Sequence, residues 1–205
     1  MIRVRIDDVF VDSSAFTDEK AIARFKQIHR WIIQVPDKAI HIPTILVTEI
    51  QNYPEVIKFV KEETAEGRMS PQLHGFEHID YAKLPESEIK DHLEKSIEWM
   101  DKNLDVQPTT WCTPWGGYNQ TMQNAADACY LTVETTGGTL SPGKAVKTAT
   151  DHGPDVLIRN HRTIMAHWWE RGLQILRLVE IVKYGSYTEA KYWDKETRRR
   201  KERIF

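Results

Sequence analysis

Asp7 and Asp8 stand side by side in RIDDV, and His74 and His78 stand four residues apart in HGFEH. Adjacent carboxylates repel each other, so a chain keeps both only where a cation compensates them or water solvates them. Two imidazoles at this spacing fall on one side of a helical turn, as a shared metal ion requires. Each pair alone also has a plainer reading: a polar exit from a strand for the acids, two unrelated histidines for HxxxH. Together they supply two imidazoles and a carboxylate, a set that holds zinc or another first-row divalent ion and leaves positions open for water and substrate. Glu77, between the histidines, is a further candidate ligand or a surface residue. Cys112 paired with a histidine base would instead be a nucleophile.

These residues need elements to bring them together. Residues 3–8 alternate, with Val4 and Ile6 on one side and Arg3, Arg5 and Asp7 on the other, which predicts a short strand. Thr17 can cap a helix over 18–34, where Ile22, Phe25, Ile28, His29, Ile32 and Ile33 recur at helical spacing. A strand over 40–47 follows, then a helix opened by Pro54 and closed by Gly67. Residues 69–73 are expected to be a strand leading into HGFEH, and 85–104 a long amphipathic helix. TTWC, a helix over 120–129 and YLTVETT continue the alternation. The stretch 137–153 is rich in Gly, Ser, Pro and Thr and is expected to be a functional lid or a mobile loop. VLIRN and TIMAH are expected as the last strands and ERGLQILRLVEIV as the following helix.

Strand and helix alternating in this way predict an α/β fold with a parallel sheet. No GxGxxG turn follows the first strand, so an incomplete (β/α) barrel suits the pattern better than an open doubly wound sheet. Barrel enzymes carry their chemistry at the C-terminal ends of the strands, where each candidate above falls. The 205 residues, 40% of them apolar, are enough for one domain with a real core. The apolar runs are too short for a membrane span and MIRVRIDDV has no secretory core, which gives the expectation of a cytoplasmic protein. Two cysteines are too few for a disulfide scaffold. A net charge of −2 gives no general attraction to nucleic acid, and the closing RRRKER reads as the solvated end of a helix or as a local phosphate or partner contact.

RIDDV, LHGFEH, TPWGGYN and TIMAH, in this order, resemble the motifs of the polysaccharide deacetylase (NodB-homology) family over nearly the whole chain. The resemblance implies a distorted (β/α)7 barrel and a metal-dependent hydrolase that removes an acetyl group from an N-acetylated sugar or glycan precursor. It implies Asp7 as catalytic base, and Asp8, His74 and His78 as ligands of one divalent ion, zinc first among them. It also implies His167 as general acid, with His161 as the competing histidine, and the backbone N–H of Trp115 as an oxyanion donor. Trp115, Tyr118, Trp168 and Trp169 could stack on a sugar ring or simply pack. The chain departs from the family at two named positions. Gly75 stands where the family has Ser or Thr, and Cys112 where it has the Arg that orients the base. No Asp-Trp motif to anchor such an Arg is found. Arg5 shares a strand face with Asp7, and inside a barrel its guanidinium would need Asp7 or another interior acid as partner. In the other phase of the strand it would lie at the surface. A hydrolase of a non-sugar amide or ester, and a non-catalytic metal- or sugar-binding relative, are the alternatives.

Overall fold

The alternation of RVRID becomes the first strand of a parallel sheet in the computed structural model, which describes residues 2–9, 18–33, 39–135, 145–147 and 163–167. The strands are β1 (Ile2–Asp7), β2 (Ala39–Leu46), β3 (Gln72–Gly75), β4 (Thr110–Cys112), β5 (Thr132–Thr135), β6 (Ala145–Lys147) and β7 (Thr163–His167). Their order across the sheet is β6-β5-β4-β3-β2-β1-β7, and each neighbouring pair is parallel. Successive parallel neighbours require crossovers, and among the described residues helices supply those from β1 through β5. These are α1 (Asp18–Ile33), the short α2 (Val47–Ile50), α3 (Pro54–Ala65), α4 (Glu86–Leu104) and α5 (Gln120–Ala128). Seven parallel strands with flanking helices make the distorted, incomplete (β/α)7 barrel that the sequence predicts. Among the described residues no ladder joins β6 to β7.

Each helix buries the face its sequence predicts. Ala21, Phe25, Ile28, His29 and Ile32 of α1 turn inward, as do Ile89, Leu93, Ser96, Met100 and Leu104 of α4. Asn119 caps α5 by accepting the N–H of Met122 at 2.8 Å, and Pro54 opens α3. The helix α4 ends at Asp105 in the left-handed region, φ 62°. The inward faces close on a core around Phe25, Ile45, Leu73, Trp111 and Val133.

Three expectations need correction. Residues 76–79, which contain most of HGFEH, form a bend rather than a helical turn. Their peptide groups bond elsewhere: Phe76 N–H and Glu77 N–H donate to the Tyr81 hydroxyl, and the Phe76 carbonyl accepts from Thr48 N–H and Oγ1. The third strand lies at Gln72–Gly75, later than 69–73, and Met69 makes only an isolated bridge to His41. Within 137–153, read as a loop, Ala145–Lys147 adds a strand to β5, with Glu134 opposite Val146. The expected VLIRN strand, the helix ERGLQILRLVEIV, RRRKER, Thr17, His161, Trp168 and Trp169 lie outside the described residues.

Candidate metal centre

β1 delivers two carboxylates to the C-terminal end of the sheet and then turns. Asp8 takes a positive φ of 55°, a conformation that costs a non-glycine residue energy and is held only where surrounding contacts demand it. Its Oδ1 lies 2.6 Å from His74 Nε2 and 3.0 Å from His78 Nε2. The ligand atoms of Asp8, His74 and His78 all fall within 4.8 Å of one another, which bears on the predicted trio directly. His74 sits in β3 and His78 on the bend after it, their rings 5.6 Å apart. His74 Nδ1 lies 2.5 Å from the carbonyl oxygen of Cys112. A carbonyl only accepts, so Nδ1 donates and Nε2 faces Asp8, the arrangement by which metal-binding histidines are commonly fixed. Burial alone would raise the Asp8 carboxyl. The hydrogen bonds and charge of His74 and His78 outweigh it and hold Asp8 well below the usual carboxylate range. Two imidazoles and one carboxylate converging on one point fit a zinc-like divalent ion that also keeps open positions. Glu77 is not part of this group.

Asp7 has a different environment. Arg5 Nε donates to its Oδ1 at 2.7 Å and a terminal nitrogen of Arg5 donates to Oδ2 at 2.5 Å; Thr44 Oγ1 donates to Oδ1 at 3.0 Å. Another terminal nitrogen of Arg5 donates to Glu134 Oε2 at 3.2 Å. Arg5, Asp7, Thr44 and Glu134 are all buried, Arg5 completely. Burial works against the guanidinium charge, but Asp7, with Cys112 and Glu134, outweighs it and holds Arg5 protonated. The interior phase of the first strand is therefore the observed one. The Cys112 thiol lies 3.7 Å from Glu134 Oε2, and the contact His74 makes is with the Cys112 carbonyl, so no histidine base faces the sulfur in these bonds.

Trp115 follows Pro114 in a tight turn, at φ 58° and ψ 8°. Its side chain is 72% exposed and its ring centre lies 4.8 Å from that of His78. Strained backbone at Asp8 and Trp115 thus brackets the histidine pair. The strand β7 pairs with β1 so that His167 stands opposite Asp7 in register, which brings its backbone to the same end of the sheet. Glu134 and Tyr81 were missed from the sequence. Glu134 had a signal, a lone acid inside the apolar strand pattern YLTVETT; Tyr81 had none, because it acts through a loop fold that local pattern does not encode.

A curled parallel sheet with an Asp-His-His cluster at its carboxyl ends places the chain among the incomplete (β/α) barrels that bear such a site. A family model described as polysaccharide deacetylase matches residues 42–133, which include His74, His78 and Trp115 but not Asp7, Asp8 or His167. Among solved structures the chain is similar to a family 4 carbohydrate esterase from Streptomyces lividans in complex with acetate. That likeness has 12% identity and a TM-score of 0.59, and covers 89% of this chain and 85% of that one. It is similar to the Xyl-CE4 domain of a multidomain xylanase from the hindgut metagenome of Trinervitermes trinervoides, at 10% identity and a TM-score of 0.57, covering 92% and 84%. It is also similar to a CE4 family pseudoenzyme from Bacillus anthracis, at 13% identity and a TM-score of 0.58, covering 90% and 60%. At these identities the likeness is one of fold. No match was found among curated proteins. No helix among the described residues is long and apolar enough to cross a membrane.

Proposed function

We propose that the chain is a metal-dependent deacetylase that hydrolyses the N-acetyl group of an amino sugar or glycan precursor. The observation that carries this reading is the convergence of Asp8, His74 and His78 on one point, beside an Asp7 held by Arg5 and Thr44. A divalent ion, zinc first among the candidates, would be held by Asp8, His74 and His78 and would supply Lewis acidity toward water and the acetyl carbonyl. Asp7 accepts the proton of the attacking water, and the Arg5 clamp keeps its carboxylate oriented for that task. The Trp115 N–H donates to the oxyanion as the carbonyl carbon becomes tetrahedral. His167 gives a proton to the departing amine, so acetate and a free amino sugar leave. The exposed Trp115 ring offers a flat apolar face for a sugar.

One observation favours a second reading. Arg5 engages both oxygens of Asp7, a tighter grip than a base that must take up a proton needs, and a non-catalytic relative that binds metal or sugar without turnover would keep such a clamp. Metal analysis of protein purified without a histidine tag, paired with acetate release from N-acetylated amino sugars, separates the readings. Metal with acetate release supports the deacetylase. Metal without release supports the binding relative, and release only from non-sugar amides or esters supports the wider hydrolase. Absence of bound metal in zinc-supplemented protein removes the metal-dependent reading.

A further inference from the structure

His78 lies on a loop, and a loop ligand is only as well aimed as the bonds that hold its backbone. Tyr81 is almost fully buried, and its hydroxyl accepts the N–H of Phe76 at 3.0 Å and of Glu77 at 3.3 Å, the peptide groups just ahead of His78. The same oxygen lies 2.8 Å from the point where a Cβ on residue 75 would stand, at a backbone φ of +156°. The bare backbone of Gly75 and the phenol of Tyr81 are thus complementary: a side chain after His74 and the Tyr81 hydroxyl cannot share that space. The ring itself is fixed. It meets Trp111 edge-on at 5.2 Å and His92 edge-on at 5.8 Å between centres. Trp111 Nε1 in turn donates to the carbonyl of His74 at 3.0 Å. One aromatic pair therefore grips the backbone at both histidines, Trp111 at His74 and Tyr81 ahead of His78.

We propose that Tyr81 is the positioning residue of the metal centre, its hydroxyl fixing the peptide groups of Phe76 and Glu77 so that His78 is aimed at the point it shares with His74 and Asp8. The inference rests on the metal site proposed above and adds what holds it in shape. Burial, opposed by the bonds from Glu77 and Phe76, pushes the Tyr81 hydroxyl up to about 12, so the oxygen stays a neutral acceptor at working pH.

The test is Zn2+ affinity, measured against a competing chelator, for the full chain and for Tyr81→Phe, His78→Ala and their double variant. Tyr81→Phe keeps the ring and its packing and removes only the oxygen. It is expected to weaken Zn2+ binding about 10–100-fold, the range seen when a residue behind a metal ligand is removed. In the His78→Ala background it should change nothing, because the loop then has no ligand to aim. Hydrogen exchange at the Phe76 and Glu77 amides should accelerate in Tyr81→Phe whether or not metal is bound. Gly75→Ala, which drives a methyl against the same hydroxyl, should reproduce both effects. An equal loss of affinity in both backgrounds, or unchanged exchange at Phe76 and Glu77, overturns the inference. If His78→Ala binds Zn2+ as tightly as the wild type, the metal site fails first, and the exchange measurement still decides whether Tyr81 holds the loop.

Discussion

At the end of β1 two neighbouring carboxylates face different partners, Asp8 the imidazoles of His74 and His78, Asp7 the guanidinium of Arg5. Their variants should therefore separate. His74→Ala or His78→Ala deletes one of the three proposed ligands and should remove most of the divalent ion that the proposed site holds, read by elemental analysis; stoichiometric metal in the double variant would refute the site. Asp7→Asn should retain the metal and lower turnover by about a hundredfold or more, the range of a lost general base. Equal loss of metal and rate would make Asp7 a ligand instead. Arg5 was legible at this scale because strand alternation put it on the Asp7 face and an interior arginine must find an acid. That Glu134 shares it was not legible, since β1 and β5 are not neighbours in the sheet and nothing local in either strand names the other. Replacing Arg5 by Met removes the guanidinium from the buried Asp7 and should cost about 3–5 kcal/mol in chemical denaturation, the scale of a broken buried pair. A loss within the error of the measurement would show that Thr44 alone suffices for Asp7.

The elements were read most accurately where periodicity is long. Helix α4 and helix α1 lie within a residue or two of expectation because several turns of apolar spacing specify each. The HGFEH segment was misread because i, i+4 spacing does not require a helix: a strand end and a bend bring His74 and His78 to the same carboxylate by another route. What makes the bend possible is Gly75, where a Cβ would meet the Tyr81 oxygen at 2.8 Å and the Glu77 carbonyl at 3.1 Å. Gly75→Ala is thus an overpacking substitution at a strained φ and should destabilise the fold by about 1–3 kcal/mol, read as a lowered unfolding midpoint. An unchanged midpoint would mean that the loop yields without cost. The strand at Ala145–Lys147 escaped notice for the opposite reason: three residues in a Gly- and Ser-rich stretch carry no period, and only pairing with β5 makes them a strand.

Across the whole molecule the sheet has a chemically different second end. Near the start of β2, His41 is fully buried, its Nδ1 lies 3.1 Å from Nδ1 of His29, and its Nε2 has no partner among the described residues. His29 Nε2 meets Glu63 at 2.8 Å, and Arg68 grips both oxygens of that carboxylate. Neutral imidazoles satisfy this chain, with His29 donating to Glu63 and His41 donating to His29, whereas a proton added to His41 would be buried at Nε2 with nothing to receive it. Burial, reinforced by the neighbouring His29, holds His41 well below its ordinary value of 6.5, and burial also lowers His29, against the pull of Glu63. The unfolded chain therefore binds more protons than the folded one once pH falls below about 6.5, so stability present above that value is lost as the solution is acidified. One proton gives a slope of up to about 1.4 kcal/mol per pH unit. Urea unfolding with a chelator present, compared between pH 7.5 and 5.5, isolates this window from Glu63, whose carboxyl is held below its usual range, first by Arg68, and titrates lower. His41→Asn keeps a donor toward His29 but cannot titrate, so it should flatten the slope even if it lowers stability overall. A variant with the wild-type slope would place the proton uptake elsewhere and leave the buried histidine pair a matter of packing alone.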